Sequence, residues 1–234
     1  MRLGAVLNRK VRGGLIMDLD QIFKRIGIDR DYSTMEMSDL SVDLQGWGST
    51  HPIFAIVIQA QKPLIVVEVG TWKGASVIHM AKIASKLGLA TKFICVDTWL
   101  GSNVTLWISD EYRKMLMLRH GYPTMFRQFI RNITGEGVAD SVFPLPMTSS
   151  AAYHLLKRLS VFPDVTYIDA GHEEEEVYRD LALYYDLLKP GGVIFGDDYM
   201  QPWPGVIAAV NRFCAEKRVL LNSGTGKFMF KKPD

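Results

Sequence analysis

The stretch Leu64-Ile65-Val66-Val67-Glu68-Val69-Gly70-Thr71-Trp72-Lys73-Gly74-Ala75-Ser76 constrains the fold more than any other part of this chain. Its consecutive apolar, β-branched residues predict a strand covered on both faces. Gly70 and Gly74 allow a turn that brings backbone close to a ligand, and Ala75 opens a good helix. Any α/β protein can contain one such turn, so the segments that follow have to decide its meaning.

They repeat the pattern. Strand 64–69 is followed by a helix near 74–87, ended by Gly88, and then by strand 92–97, which ends at Asp97. An irregular and helical insertion occupies about 100–135. Beyond it, a strand near 141–145 leads to helix 149–159, opened by Ser149 or Ser150. Strand 164–169 leads to helix 173–188, and strand 192–197 to helix 204–217. Residues 218–221 and 226–231 form a last pair joined by a turn from Asn222 to Gly226. Repeated βα units predict an α/β fold: a Rossmann-like, doubly wound, mostly parallel seven-stranded sheet with an antiparallel C-terminal hairpin. Residues 18–61 read as mainly helical, with Asp18 as a cap and a helix over 51–60 carrying Pro52 in its first turn. The expected division is a basic arm and helical segment over 1–62 and the α/β domain over 63–234.

The 234 residues suit one such domain with appendages. A net charge of +2 makes no general case for nucleic acid or an anionic membrane as partner. Arg2, Arg9, Lys10 and Arg12 precede the first acid, Asp18, and read as a solvated arm. The apolar run Leu3 to Leu7 is too short for a signal-peptide core or a spanning helix. Cys95 and Cys214 both read as small buried hydrophobes, which suits a reducing cytoplasm.

In a parallel sheet, ligands bind beyond the carboxyl ends of the strands. The first tip carries Glu68, Gly70 and the turn to Gly74. The second carries Asp97, placed to accept hydrogen bonds from ribose hydroxyls. The turn lacks Gly-x-Gly-x-x-Gly and the Lys-Ser/Thr of a phosphate loop, which speaks against a nicotinamide dehydrogenase and a P-loop enzyme. The fourth tip ends Tyr167-Ile168-Asp169-Ala170-Gly171-His172 and the fifth Gly196-Asp197-Asp198-Tyr199. Neighbouring tips would thus gather three carboxylates, which is costly unless a cation or a proton compensates. A hard divalent ion such as Mg²⁺ takes oxygen ligands and leaves room for substrate oxygens. His172, three residues after Asp169, is then placed to act as a base. Glu173 to Glu176 read as the acidic first turn of a helix, and His51, His79 and His154 as structural.

Together these segments resemble class I S-adenosylmethionine (SAM) O-methyltransferases that require a divalent metal. They are most similar to the group acting on sugar hydroxyls in macrolide and aminocoumarin pathways and to its cephalosporin-biosynthesis relatives. The resemblance is carried by Glu68 to Ser76, Val96 to Gly101, Ile168 to His172 and Leu188 to Tyr199, within about residues 64–231. It implies that Glu68, Gly70, Thr71, Gly74 and Ser76 bind or position SAM, that Asp97 with Thr98 holds its ribose, and that Met147 and Ser149 flank adenine. It further implies that Asp169, Asp197 and Asp198 hold Mg²⁺, with Asp169 also lying against SAM, and that His172 is the general base. Catechol-type relatives carry lysine where His172 stands, which tilts the acceptor away from catechols, and a metal binding two vicinal oxygens would suit a sugar or another vicinal diol.

The activity expected is methyl transfer from SAM to a hydroxyl of a small molecule. Metal coordination would lower the hydroxyl's pKa while His172 takes the proton. Trp72, Trp99, Trp203 and Tyr199 belong at the ligand end of the sheet, to stack on a ligand or to pack loops. The insertion reads as a lid or, alternatively, as a homo-oligomer interface. Competing readings are a metal-independent or nitrogen-directed SAM methyltransferase and a non-catalytic SAM-binding protein. Nucleic-acid methylation is disfavoured, because Asp197-Asp198-Tyr199-Met200 stands where an Asn/Asp-Pro-Pro-aromatic motif would be needed.

Overall fold

The apolar runs at 65–69 and 92–97 become strands whose side chains alternate between two cores. Val67, Val69, Ile94 and Val96 face one, whereas Val66, Phe93 and Cys95 face the other. The computed structural model describes residues 18–101 and 104–234. Its strands are β1 (Ile65–Val69), β2 (Lys92–Asp97), β3 (Val142–Pro146), β4 (Val165–Ile168), β5 (Val193–Gly196), β6 (Asn222–Gly224) and β7 (Lys227–Lys231). They form a seven-stranded sheet in the order β3-β2-β1-β4-β5-β7-β6. The first five are parallel, β7 runs antiparallel to β5, and β6 antiparallel to β7. The fold class is as expected. The chain works outwards from β1 to β3 and then crosses to β4, so the switch point lies between β1 and β4, where such sheets bind ligands.

The helices are α1 (Leu19–Arg25), α2 (Ile53–Gln61), α3 (Ala75–Lys86), α4 (Val104–Ile108), α5 (Asp110–Arg113), α6 (Met125–Gly135), α7 (Ser149–Arg158), α8 (Glu174–Leu187) and α9 (Pro204–Lys217). One core lies under α1, α7, α8 and α9, and the other under α2, α3 and α6. Asp18 caps α1 by accepting from the Gln21 N–H at 3.2 Å. The last hairpin is tighter than expected. Asn222 to Gly224 are strand, and the turn is Thr225-Gly226, both at positive φ, as a two-residue hairpin requires. Among the described residues no helix is long and apolar enough to cross a membrane. The basic arm lies outside the described residues.

Two expectations need correction. Residues 27–52 are a strap without a helix, because Asp29, Asp31 and Asp43 bond the backbone two residues on and offer it turns instead. The insertion is not all lid either. On α6, Phe129, Ile130 and Ile133 are fully buried, and Trp99 packs on Phe126 and Phe129 with ring centroids 4.9 Å apart. The polar face of α6 holds the strap. Gln128 donates to the Ser41 carbonyl, Arg131 to that of Leu40, and Asn132 to that of Asp43.

Candidate active site

The turn after β1 is built for close approach. Gly70 has φ +82°, and a Cβ there would fall on the carbonyl oxygen of Asp169, so only glycine lets the tips of β1 and β4 meet. Gly74, at φ +85°, opens α3, whose first N–H groups no side chain caps. Asp97 fastens the turn to β2. Its Oδ2 accepts from the N–H groups of Thr71 and Trp72, both at 2.9 Å, and its Oδ1 from that of Trp99 at 2.7 Å. Burial raises the Asp97 carboxyl against these stabilising bonds. Asp97 thus shapes the turn, and a ribose would have to share a carboxylate already engaged with backbone. Beneath, Glu68 is fully buried and accepts from the Ser76 hydroxyl, with its carboxyl pushed well up by burial. Glu68 and Ser76 thus brace the turn from below.

The tips of β4 and β5 do bring Asp169, Asp197, Asp198 and His172 together around one recess. Each acid already has a protein partner. Asp197 pairs with Lys227, a residue that is only 2% exposed. The Tyr167 hydroxyl donates to Asp169 at 3.0 Å and accepts from the Lys227 ammonium at 3.1 Å. Asp198 takes the Nε2 of His172 at 2.8 Å. Burial, then the charges of Asp197 and Asp198, push the Asp169 carboxyl up, with Lys227 opposing. Burial pulls the His172 imidazole down, but the Asp198 hydrogen bond and the three carboxylates outweigh it, so its pKa is raised.

The three acids expected to hold Mg²⁺ are thus each engaged by a protein side chain, and as arranged they do not fit an ion. Among the described residues no group of three His, Cys, Asp or Glu side chains has the geometry to hold an ion. The recess offers about 10 Å³, room for roughly one water, whereas Mg²⁺ keeps several. The buried ammonium of Lys227 lies against Asp197 and the Tyr167 hydroxyl at this site.

Residues 67–199 match the model of a methyltransferase domain family. The chain belongs to that family. Solved structures agree on the fold. An O-methyltransferase from Bacillus cereus in complex with S-adenosylhomocysteine (SAH) superposes with a TM-score of 0.55 at 16% identity, covering 92% of this chain and 97% of that one. The O-methyltransferase NovP gives 0.59 at 18% identity, covering 83% and 84%. TomG of Streptomyces achromogenes, in complex with SAM, gives 0.56 at 16%, covering 92% and 96%. An uncharacterized protein, R132, of Acanthamoeba polyphaga mimivirus is 37% identical over 68 residues, which are 28% of this chain and 31% of that protein.

Elsewhere in the methyltransferase, Thr98 accepts from the Leu100 N–H at 3.2 Å, so its hydroxyl serves its own loop. Met147 follows β3 and packs against the core. Ser149 is not the cap of α7, a role taken by Thr148. Its hydroxyl instead donates to Asp180 on α8 at 2.6 Å. Of the tryptophans, Trp99 is buried core, Trp72 donates to Gln45 of the strap, and Trp203 lies on His172 with ring centroids 4.0 Å apart. Trp47 of the strap stands over Trp72 and Tyr112 at 5.8 and 6.4 Å, making an aromatic rim. Sequence reasoning missed Lys227 and the strap. The hairpin signal located Lys227 at the start of the last strand, but only the register of β7 on β5 sets it opposite Asp197.

Proposed function

We propose that this methyltransferase moves the methyl group of SAM to a hydroxyl oxygen of a small molecule, with His172 taking the proton. The observation that carries this reading is the His172–Asp198 pair, 2.8 Å apart, at the ligand end of a methyltransferase sheet. SAM fits the turn from Gly70 to Gly74, where the uncapped start of α3 offers N–H donors to a carboxylate. The solved relatives holding SAM or SAH support that choice. SAM, when bound, supplies a methyl already activated on a sulfonium.

This chain's residues then have to improve a poor nucleophile. A neutral hydroxyl needs a base as its oxygen attacks, and a raised imidazole pKa makes His172 a stronger one. Asp198 holds the ring and stabilises the imidazolium that results, while Trp203 presses on its face. A hydroxylated acceptor with a flat or ring-shaped body suits the rim of Trp47, Trp72 and Tyr112. Both cysteines are buried and free, which supports a cytoplasmic setting.

The test is methyl transfer from isotope-labelled SAM to a panel of hydroxylated acceptors, alongside calorimetric titration with SAH. His172→Gln should retain SAH binding and lose turnover. Failure of the wild type to bind SAH or SAM would end this reading.

A further inference from the structure

We propose that Lys227 is the resident cation of the strand-tip site, so that the chain binds no catalytic divalent metal and transfers methyl without one. The second half of this statement rests on the function proposed above, whereas the first stands on geometry alone. Gly196 of β5 pairs with Phe228 of β7, so the antiparallel register brings Asp197 and Lys227 opposite each other just beyond it. Opposed residues of two strands point to the same face. The Lys227 stem therefore runs beneath the tip of β5, with its ammonium against Asp197 and the Tyr167 hydroxyl. The aromatic faces of Phe54 and Tyr167 lie 5.3 and 5.4 Å from the Lys227 nitrogen and add cation–π attraction.

The strap closes the same spot. A Cβ on Gly48 would sit 3.2 Å from both Asp197 Oδ2 and Lys227 Nζ, so backbone covers the pair where an incoming ion with its waters would have to pass. A buried ammonium is held only where its charge is compensated, and Asp197 does so here. One positive charge is thereby built into the chain at the tip of β5. Asp169 is reached through Tyr167 and Asp198 through His172, so each carboxylate has its own hydrogen-bond partner in the protein. An entering ion would have to displace Lys227 from Asp197 and leave an ammonium buried without its counter-charge.

The experiment is titration of the full chain with Mn²⁺, followed by electron paramagnetic resonance and calorimetry, with and without SAH. The proposal expects no specific Mn²⁺ site in the wild type at millimolar metal, and SAH affinity unchanged between EDTA and Mg²⁺. Lys227→Gln, with fold verified by circular dichroism, should gain Mn²⁺ affinity of about tenfold or more over the wild type. If Lys227→Gln does not fold, Lys227→Arg serves in its place and should exclude Mn²⁺ as the wild type does. A stoichiometric Mn²⁺ site in the wild type that Asp197→Asn abolishes would overturn the proposal. Absence of SAH binding under every condition would instead defeat the methyl-transfer reading and leave the metal result to stand or fall alone.

Discussion

Asn132 on α6 donates to the carbonyl of Lys73 in the β1–α3 turn at 2.8 Å, although 59 residues separate them. The same side-chain amide donates to the Asp43 carbonyl, and its oxygen accepts from the Asp43 N–H at 2.9 Å. One fully buried amide thus locks turn, strap and insertion helix together.

Asn132→Ala should therefore weaken more than one element. It leaves the buried carbonyl of Lys73 and the partly buried one of Asp43 without their donor, at a cost of about 2–4 kcal/mol. Because the strap lies over the turn, SAH affinity should fall as well. Denaturant unfolding and SAH calorimetry check both. A variant that loses stability but binds SAH normally would show that the strap does not contribute to the cofactor site.

Glycine substitutions separate backbone strain from crowding. Gly88 ends α3 at φ +68° with nothing around its missing Cβ, so Gly88→Ala should cost only the left-handed penalty of about 1–2 kcal/mol. Gly70→Ala adds a collision with the Asp169 backbone, which cannot yield without parting β1 from β4. It should be severely destabilised or insoluble. Thermal melts of the two variants decide the matter, and equal losses would mean that the β1–β4 approach is looser than described.

Much of this architecture was legible in the chain because buried parallel strands are written as apolar runs ending in turn residues. Val66 to Val69 and Phe93 to Val96 needed no partner to be recognised. The acids of the site were legible for a related reason, since strand ends point to ligand ends. Pairing was not. The position of Lys227 opposite Asp197 depends on strand register, and the strap depends on Asp43 meeting an amide from α6. Local patterns do not encode contacts between segments that far apart. Charge balance offered the one available hint: three gathered carboxylates call for a cation or a proton, and the sequence does not say whether a metal, a lysine or a proton supplies the compensation.

Asp180 makes a pH-dependent contribution to stability. Burial pushes its carboxyl up from 3.8 to about 6, although the Ser149 hydroxyl donates to it. A raised acid binds its proton in the folded state over a range where the unfolded chain has released it. Stability from this group is therefore lost as pH rises from about 4 to about 6, by at most roughly 3 kcal/mol. Asp180→Asn keeps an acceptor for Ser149 and carries no charge. Its stability relative to the wild type should improve between pH 4 and pH 7, measured by urea unfolding at both. A relative loss at the higher pH would show that Asp180 is more favourably charged than its burial implies.

Asp198 and His172 should fail together. With the ring held at Nε2 by Asp198 and covered by Trp203, His172 is fixed in orientation as well as raised in basicity. His172→Gln removes the proposed base and should lower kcat by about 10²–10⁴-fold, the range of a lost general base. Asp198→Asn keeps the ring but weakens its support, so its loss should be smaller. Neither residue belongs to the Gly70–Gly74 turn, so SAH affinity should stay close to that of the wild type. If the pair works as a unit, the double variant should be little slower than His172→Gln alone, because groups acting together are not additive. Losses that multiply would mean that Asp198 contributes separately from His172, and its role in holding the ring would have to be given up.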